Sequence, residues 1–281
     1  MMKLGVLVLV FLCSHHLSGQ KGLELGGWFG TSQYFGDLHS DLTIKDPGLM
    51  FGVGGRYNFD ERISTKISLN YGKVSGTDAN STNTFERERN LSFASDIYDL
   101  TLQAEFNFLP YFHGSREDFY TPYLFGGFSL FSFSPTAELD GVTYNLRDFG
   151  TEGQAIRGEY SKFSRAITYG IGMKWDISLD WSMNVELGVH NTQTDYLDDV
   201  SGVYPDLDIL RQTRGDIAVA LSDRSLSPGI GEPGRQRGNS QDNDTYVFLK
   251  VGFLRFFGTL PCPDVSNQRQ IIRKRANTLE W

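Results

Sequence analysis

Hydrolytic chemistry needs a base within hydrogen-bond reach of a nucleophile and a carboxylate that orients the base. One segment holds all three residue types, with His39 beside Asp37, Ser40 and Asp41. Surface loops collect Ser and Asp for turn-making alone, so this neighbourhood does not by itself make a catalytic site. His113 falls in a short connector, and His190 ends an alternating segment where pairing with an inward carboxylate is the simpler role. The run from Asp195 to Asp208 supplies five carboxylates, the hard oxygen donors that Ca²⁺ takes. Its spacing matches no EF-hand, and it reads as a solvated passage from strand to loop. No CxxC pair, P-loop or dinucleotide glycine fingerprint occurs. These residues point to a non-enzymatic chain with no metal, no cofactor and no small-molecule substrate.

Composition narrows the frame that must hold them. The 281 residues include 31 Gly, 21 Phe, 13 Tyr and 4 Trp, with a formal net charge of −8. An acidic chain has no basic face for phosphates, which excludes nucleic acid as a partner. The aromatic content is too high for a disordered chain. Beyond residue 13 no run of about 18 apolar residues occurs, so a transmembrane helix is not expected. Residues 1–19 read as a cleaved export signal, with Lys3, an apolar core from Leu4 to Leu12 and the small pair Ser18-Gly19. Leu12 before Cys13 speaks against lipid attachment there. Cleavage leaves Cys262 as the remaining cysteine, a free thiol or half of an intermolecular disulfide.

After residue 20 the dominant period is two. In Trp181 to His190, the side chains of Trp181, Met183, Val185, Leu187 and Val189 share one face, and Ser182, Asn184, Glu186, Gly188 and His190 the other. Ile63 to Lys73 and Tyr98 to Phe108 repeat the pattern. Weaker versions run from Leu23 to Gly30, Leu49 to Phe59, Tyr123 to Phe133, Ala166 to Trp175 and Tyr246 to Phe256. That makes eight strands. Connectors alternate short and long, as the periplasmic turns and outer loops of membrane barrels do. The longest, 195–244, is rich in Gly and Pro at its end and reads as flexible. The expectation is an eight-stranded antiparallel up-and-down transmembrane β-barrel over 20–257, with both termini periplasmic.

The two faces divide accordingly. Tyr57, Phe59, Tyr71, Tyr98, Phe106, Phe108, Tyr123, Phe133, Trp175, Trp181 and Phe256 are assigned to two outward aromatic girdles. Glu24, Arg56, Lys66, Asp99, Glu105, Lys174, Glu186 and Lys250 are assigned to the interior, four of each sign. An eight-stranded barrel is only just wide enough for side chains, so these charges should form a paired plug with no aqueous channel. Inward glycines such as Gly52 and Gly172 should leave room for them. Residues 258–281 form a short basic tail with Cys262, Arg269, Arg273, Lys274 and Arg275. It reads either as an end held to anionic lipid headgroups or as a docking peptide for a periplasmic protein.

Particular words in the chain carry a family likeness. Leu23-Glu-Leu-Gly-Gly-Trp-Phe-Gly-Thr-Ser-Gln-Tyr-Phe-Gly-Asp-Leu38, Arg87 to Ile97, Glu105-Phe-Asn-Phe108, Thr194 to Tyr204 and Arg237-Gly-Asn-Ser240 resemble the PorG family of Bacteroidota outer-membrane barrels. The resemblance implies an OmpA/OmpW-like barrel in the outer membrane, among its lipids. It also implies a structural role in type IX protein secretion and gliding, anchoring a periplasmic ring built from a lipoprotein and its partner. The residue pattern alone would equally suit an adhesin or receptor, and a small-solute channel less well.

Overall fold

The computed structural model describes residues 21–38, 46–154 and 158–258. The export signal, His39, Ser40, Asp41, Cys262, Arg269, Arg273, Lys274 and Arg275 lie outside the described residues. The alternating segments form strands β1 (Gly22–Phe35), β2 (Gly48–Asn58), β3 (Ile63–Thr77), β4 (Ser92–Asn107) and β5 (Tyr120–Leu139). They continue with β6 (Val142–Asn145), β7 (Phe163–Asp176), β8 (Trp181–Thr192) and β9 (Thr245–Gly258). All pairings are antiparallel and follow chain order, except that β5 pairs with both β6 and β7. β1 pairs with β9 and β4 with β5, so eight strands close into a barrel. β6 is an addition to the expected eight. It returns on the projecting end of β5 through Asp140-Gly141, both at positive φ (52° and 77°), the conformation a two-residue hairpin turn requires.

Closure sets the geometry. A ladder starting at Gly22 passes through Asn58, Ser64, Glu105, Phe125, Gly170, Gly188 and Phe248, and meets β1 again at Ser32, ten residues on. With that stagger the strands tilt by about 40°. Each sideways step from β1 towards β9 then climbs roughly 3 Å along the axis. Connectors 59–62 and 177–180 are short; 108–119, expected to be short, is as long as 36–47, and 78–91, 140–162 and 193–244 are longer.

The described parts of 36–47, 78–91, 140–162 and 193–244 fold together into a cap over one end. α1 (Thr84–Arg89), α2 (Leu146–Phe149), α3 (Leu207–Arg214) and α4 (Asp216–Ser222) belong to it. The 195–244 connector, expected to be flexible, is ordered instead: Leu210, Ala218, Leu221 and Ile230 are buried, and Val203 bridges to Gln236. Asp206 caps α3 by accepting from the amides of Asp208 and Ile209.

The outer wall is apolar. Leu49, Val53, Leu69, Phe128 and Ile171 are each more than half exposed, and comparable residues continue round every barrel strand. Among the described residues no helix is long and apolar enough to cross a membrane. The interior is layered: polar near the short turns, apolar near the cap, where Met50, Phe93, Ile97, Phe131 and Phe248 join the cap's Leu38, Leu197 and Leu221. Three residues assigned to the outer girdles correct that map. Tyr123, Phe133 and Phe256 are 1%, 2% and 4% exposed and point inward. Their rings and Trp28 take space that had been attributed to charged side chains alone. A Cβ at Gly52 would overlap the Trp28 indole, and one at Gly172 the Tyr123 ring.

Candidate functional site

The eight interior charges are all inaccessible to water, at 0–2% exposure. Each sits on the inward parity of its strand, and the stagger of the barrel brings side chains from distant strands to one level. Glu105 is a hub, with Arg56 Nε at 2.8 Å, Lys174 Nζ at 3.1 Å and Lys66 Nζ at 3.8 Å. Glu186 holds Lys250 at 2.6 Å, binds Lys66 closely, and accepts from the Tyr123 hydroxyl at 2.7 Å. Arg56 also reaches Glu24 at 3.3 Å, and Glu24 accepts from Asn58 and Ser182 at 2.7 and 2.8 Å. Lys66 and Lys250 flank the Trp28 ring at 5.3 and 5.5 Å, close enough for cation–π attraction. Asp99 stands apart from this cluster. It accepts from Asn70, Thr101 and Tyr246 at 2.7, 2.5 and 2.8 Å, with His190 at 3.7 Å.

Sequence reasoning missed the residue that closes the lower end. His113 leaves its connector and enters the barrel mouth, 3.0 Å from Asp176 and 3.3 Å from Glu24, with its ring stacked on Phe256 at 4.2 Å. Burial works against its charge, but hydrogen bonds to Asp176 and Glu24 prevail and push its pKa up to about 9. It is therefore a cation at neutral pH. The available signal was a histidine two residues from Tyr111 in a connector without alternation; Tyr111 bonds the same Asp176 at 2.5 Å.

The cap holds a second polar cluster, built from the acidic run that had been read as solvated. Asp198 and Asp199 are fully buried. Tyr34, at the top of β1, has its hydroxyl 2.6 Å from Asp198 and 2.9 Å from Asp244. A phenol has one proton to donate, so one of these carboxyls carries a proton of its own. Burial and neighbouring carboxylates raise both well above the usual range. Burial likewise lifts Asp195 to about 8, and Asp37 and Asp199 to about 6, the last opposed by Arg237.

Two buried arginines organise the rest of the cap. Arg89 pairs with Asp78 at 2.7 Å and donates to the carbonyl of Asp37 at 2.8 Å. Arg237 reaches Glu152 at 3.0 Å and the carbonyl of Asp199 at 2.7 Å. Asp37, the described member of the group around His39, accepts from the amide of Asn239 at 2.8 Å, a structural bond that ties two loops together. Among the described residues no group of three His, Cys, Asp or Glu is arranged to hold a metal ion. The arrangement can bear charge and hold protons; the hydroxyls of Ser129 and Thr168 do lie 3.1 Å from His190 Nδ1, but all three side chains are buried inside the lumen.

A family model described as a domain of unknown function (DUF6089) matches residues 3–217. The chain belongs to that family. The matched span of this DUF6089 member reaches from before β1 into α4. No curated protein matches the sequence. Among solved structures it is similar to Neisserial surface protein A, at 11% identity over 84% of this chain and 97% of that one, with a TM-score of 0.42. OprG from Pseudomonas aeruginosa is 12% identical over 86% and 97%, at 0.39. Ail, the attachment invasion locus protein of Yersinia pestis in complex with the heparin analogue sucrose octasulfate, is 10% identical over 85% and 99%, also at 0.39. The barrel itself rests on the strand pairing of this chain.

Proposed function

We propose that this protein is a non-conducting outer-membrane barrel that serves as a structural anchor, with the capped end outside the cell and the short turns in the periplasm. The observation that carries the reading is a set of water-inaccessible charges inside a wall whose outer surface is apolar. A contiguous apolar belt of this kind is rare on a soluble monomer. A lumen whose charges no water reaches has no path for a hydrated solute, which disfavours a channel. The narrower reading, a subunit of the type IX secretion machinery that holds a periplasmic ring lipoprotein and its partner, rests on the PorG-like words from Leu23 to Leu38 and from Arg87 to Ile97. An anchor needs a periplasmic handle, and residues 258–281 with Cys262, Arg269, Arg273, Lys274 and Arg275 are the proposed one.

Cross-linking of the intact envelope tests the partner. Recovery of a periplasmic ring lipoprotein with the full chain, weakened by removal of 259–281, is the expected result. Unchanged recovery would remove the tail from the account, and recovery of surface ligands alone would favour an adhesin. In a planar bilayer the purified barrel should show no single-channel conductance above the background.

A further inference from the structure

The apolar wall is not uniform. On the outward faces of five neighbouring strands the pairing aligns an aliphatic row, Val53, Leu69, Leu100 and Leu130, that ends in Arg165. Two residues higher on each strand runs a second row: Phe51, Tyr71, Tyr98, Ser132 and Phe163. The rings of Phe51 and Tyr71 lie 4.9 Å apart, and those of Tyr71 and Tyr98 5.2 Å. They form a ledge that is interrupted where Ser132 replaces an aromatic residue. Between ledge and aliphatic row lies a groove of about 1130 Å³, at or beyond the upper end of ordinary ligand sites, which run to roughly 1,000 Å³.

The groove has direction and a charged end. Four ladder steps separate Val53 on β2 from Arg165 on β7, so the groove climbs roughly 12 Å, from the middle of the barrel wall towards the capped end. At its top Arg165 donates through Nε to Gln193 at 2.6 Å. No carboxylate among the described residues pairs with Arg165. Asp96, on the far side of the ledge, is held by the Tyr71 hydroxyl at 2.7 Å. An unpaired guanidinium above an apolar trough is complementary to a molecule with an anionic oxygen cluster at one end and hydrocarbon below it. In a membrane barrel that molecule is the solvent itself: a lipid of the leaflet next to the cap.

We infer that the Val53–Arg165 groove is a binding site for an acyl chain of a phospholipid whose headgroup is net anionic, with its uncompensated phosphate charge on Arg165. The inference rests on the membrane-barrel reading. The test uses the mature full chain in neutral detergent, titrated with phosphatidylglycerol or phosphatidylcholine of the same acyl chains and read by native mass spectrometry. One phosphatidylglycerol per chain should survive where phosphatidylcholine is lost. Arg165→Gln should lower its retention about tenfold, to the phosphatidylcholine level, and Leu100→Trp, which fills the trough, should lower both. Millimolar inorganic phosphate should not displace the lipid. Equal retention of the two lipids, wild-type retention in either variant, or displacement by phosphate would overturn the site. The heat-dependent gel shift monitors each variant's barrel; if Leu100→Trp loses it, Ser132→Phe, at the half-buried gap in the ledge, takes its place. A wild-type chain with no gel shift would instead refute the membrane-barrel reading itself.

Discussion

In the lower lumen Glu24, Glu105 and Glu186 face Arg56, Lys66, Lys174 and Lys250, and charge nearly cancels. In the cap Asp37, Asp78, Glu152, Asp195, Asp198, Asp199 and Asp244 gather around two buried arginines, Arg89 and Arg237. Both regions bury most of these ionisable groups and give them hydrogen-bond or ion-pair partners. The lumen answers desolvation with countercharge supplied by other strands, adjacent and distant. The cap, built from loops, answers it with protons. Burial alone therefore does not decide how a region responds to pH; the local ratio of cations to carboxylates does.

The largest effect should come from unbalancing the lumen. Glu105→Gln leaves Arg56, Lys66 and Lys174 short of a common partner, and loss of one member of a buried ion cluster costs about 3–5 kcal/mol. The midpoint of urea unfolding in lipid vesicles, followed by the gel shift, should fall accordingly. Next is Arg237→Ala, which removes charged hydrogen bonds worth about 2–3 kcal/mol from the cap alone. Proteolysis should then cut within 195–244 while the barrel keeps its gel shift. If the barrel is lost too, cap and lumen are one cooperative unit and the contrast between them fails.

The same contrast explains what could be read from sequence. The eight barrel strands were legible because, over their middle segments, an apolar outward face alternates with a polar inward one, as in Trp181 to His190. Where the interior turns apolar the contrast disappears. In β5, Phe128 and Leu130 face out while Phe131 and Phe133 face in, so aromatic type no longer reports direction, and Phe133 was assigned to the wrong face. Tyr123 and Phe256 fail differently, as aromatic residues inside the polar layer, where Tyr123 bonds Glu186 and Phe256 stacks on His113. The interior charges were legible by parity, but His113 was not, because a connector has no parity to follow. The cap was obscured by its Gly and Pro content. Its available signals were short: the Asp206 cap with Leu210 one turn on, and Ala218 with Leu221.

A pH series tests the difference directly. Asp37 and Asp199, near 6, and Asp195, near 8, sit above the ordinary aspartate value of about 3.9. Folding therefore retains protons on these groups. Their contribution is complete below about pH 4 and is lost as pH rises through 6 to 8. Cleavage of the cap, normalised to that of the unfolded chain, should be several-fold faster at pH 8.5 than at pH 5. Equal rates would break the claim that the cap depends on protons. The smallest effect belongs to the exposed pairs of Arg211 with Asp208 and Asp216, at 2.9 and 3.0 Å. Arg211→Ala should change stability by less than about 1 kcal/mol, measured by the same unfolding assay.

The seam between β1 and β9 sets Gly22 opposite Gly258, so the ends of the described strands meet each other. Closing such a ring carries a large loop-closure entropy, and the rewards are equally remote: Glu186 must find Lys66 across 120 residues. Until the last strand docks, these charges have no shared dry interior. The chain is thus expected to acquire its structure late and in one concerted, slow step, because non-local pairing retards the reaction. An incomplete ring would expose both hydrocarbon-seeking residues and unmatched charges, which makes the moment of closure the most vulnerable stage in the life of the molecule.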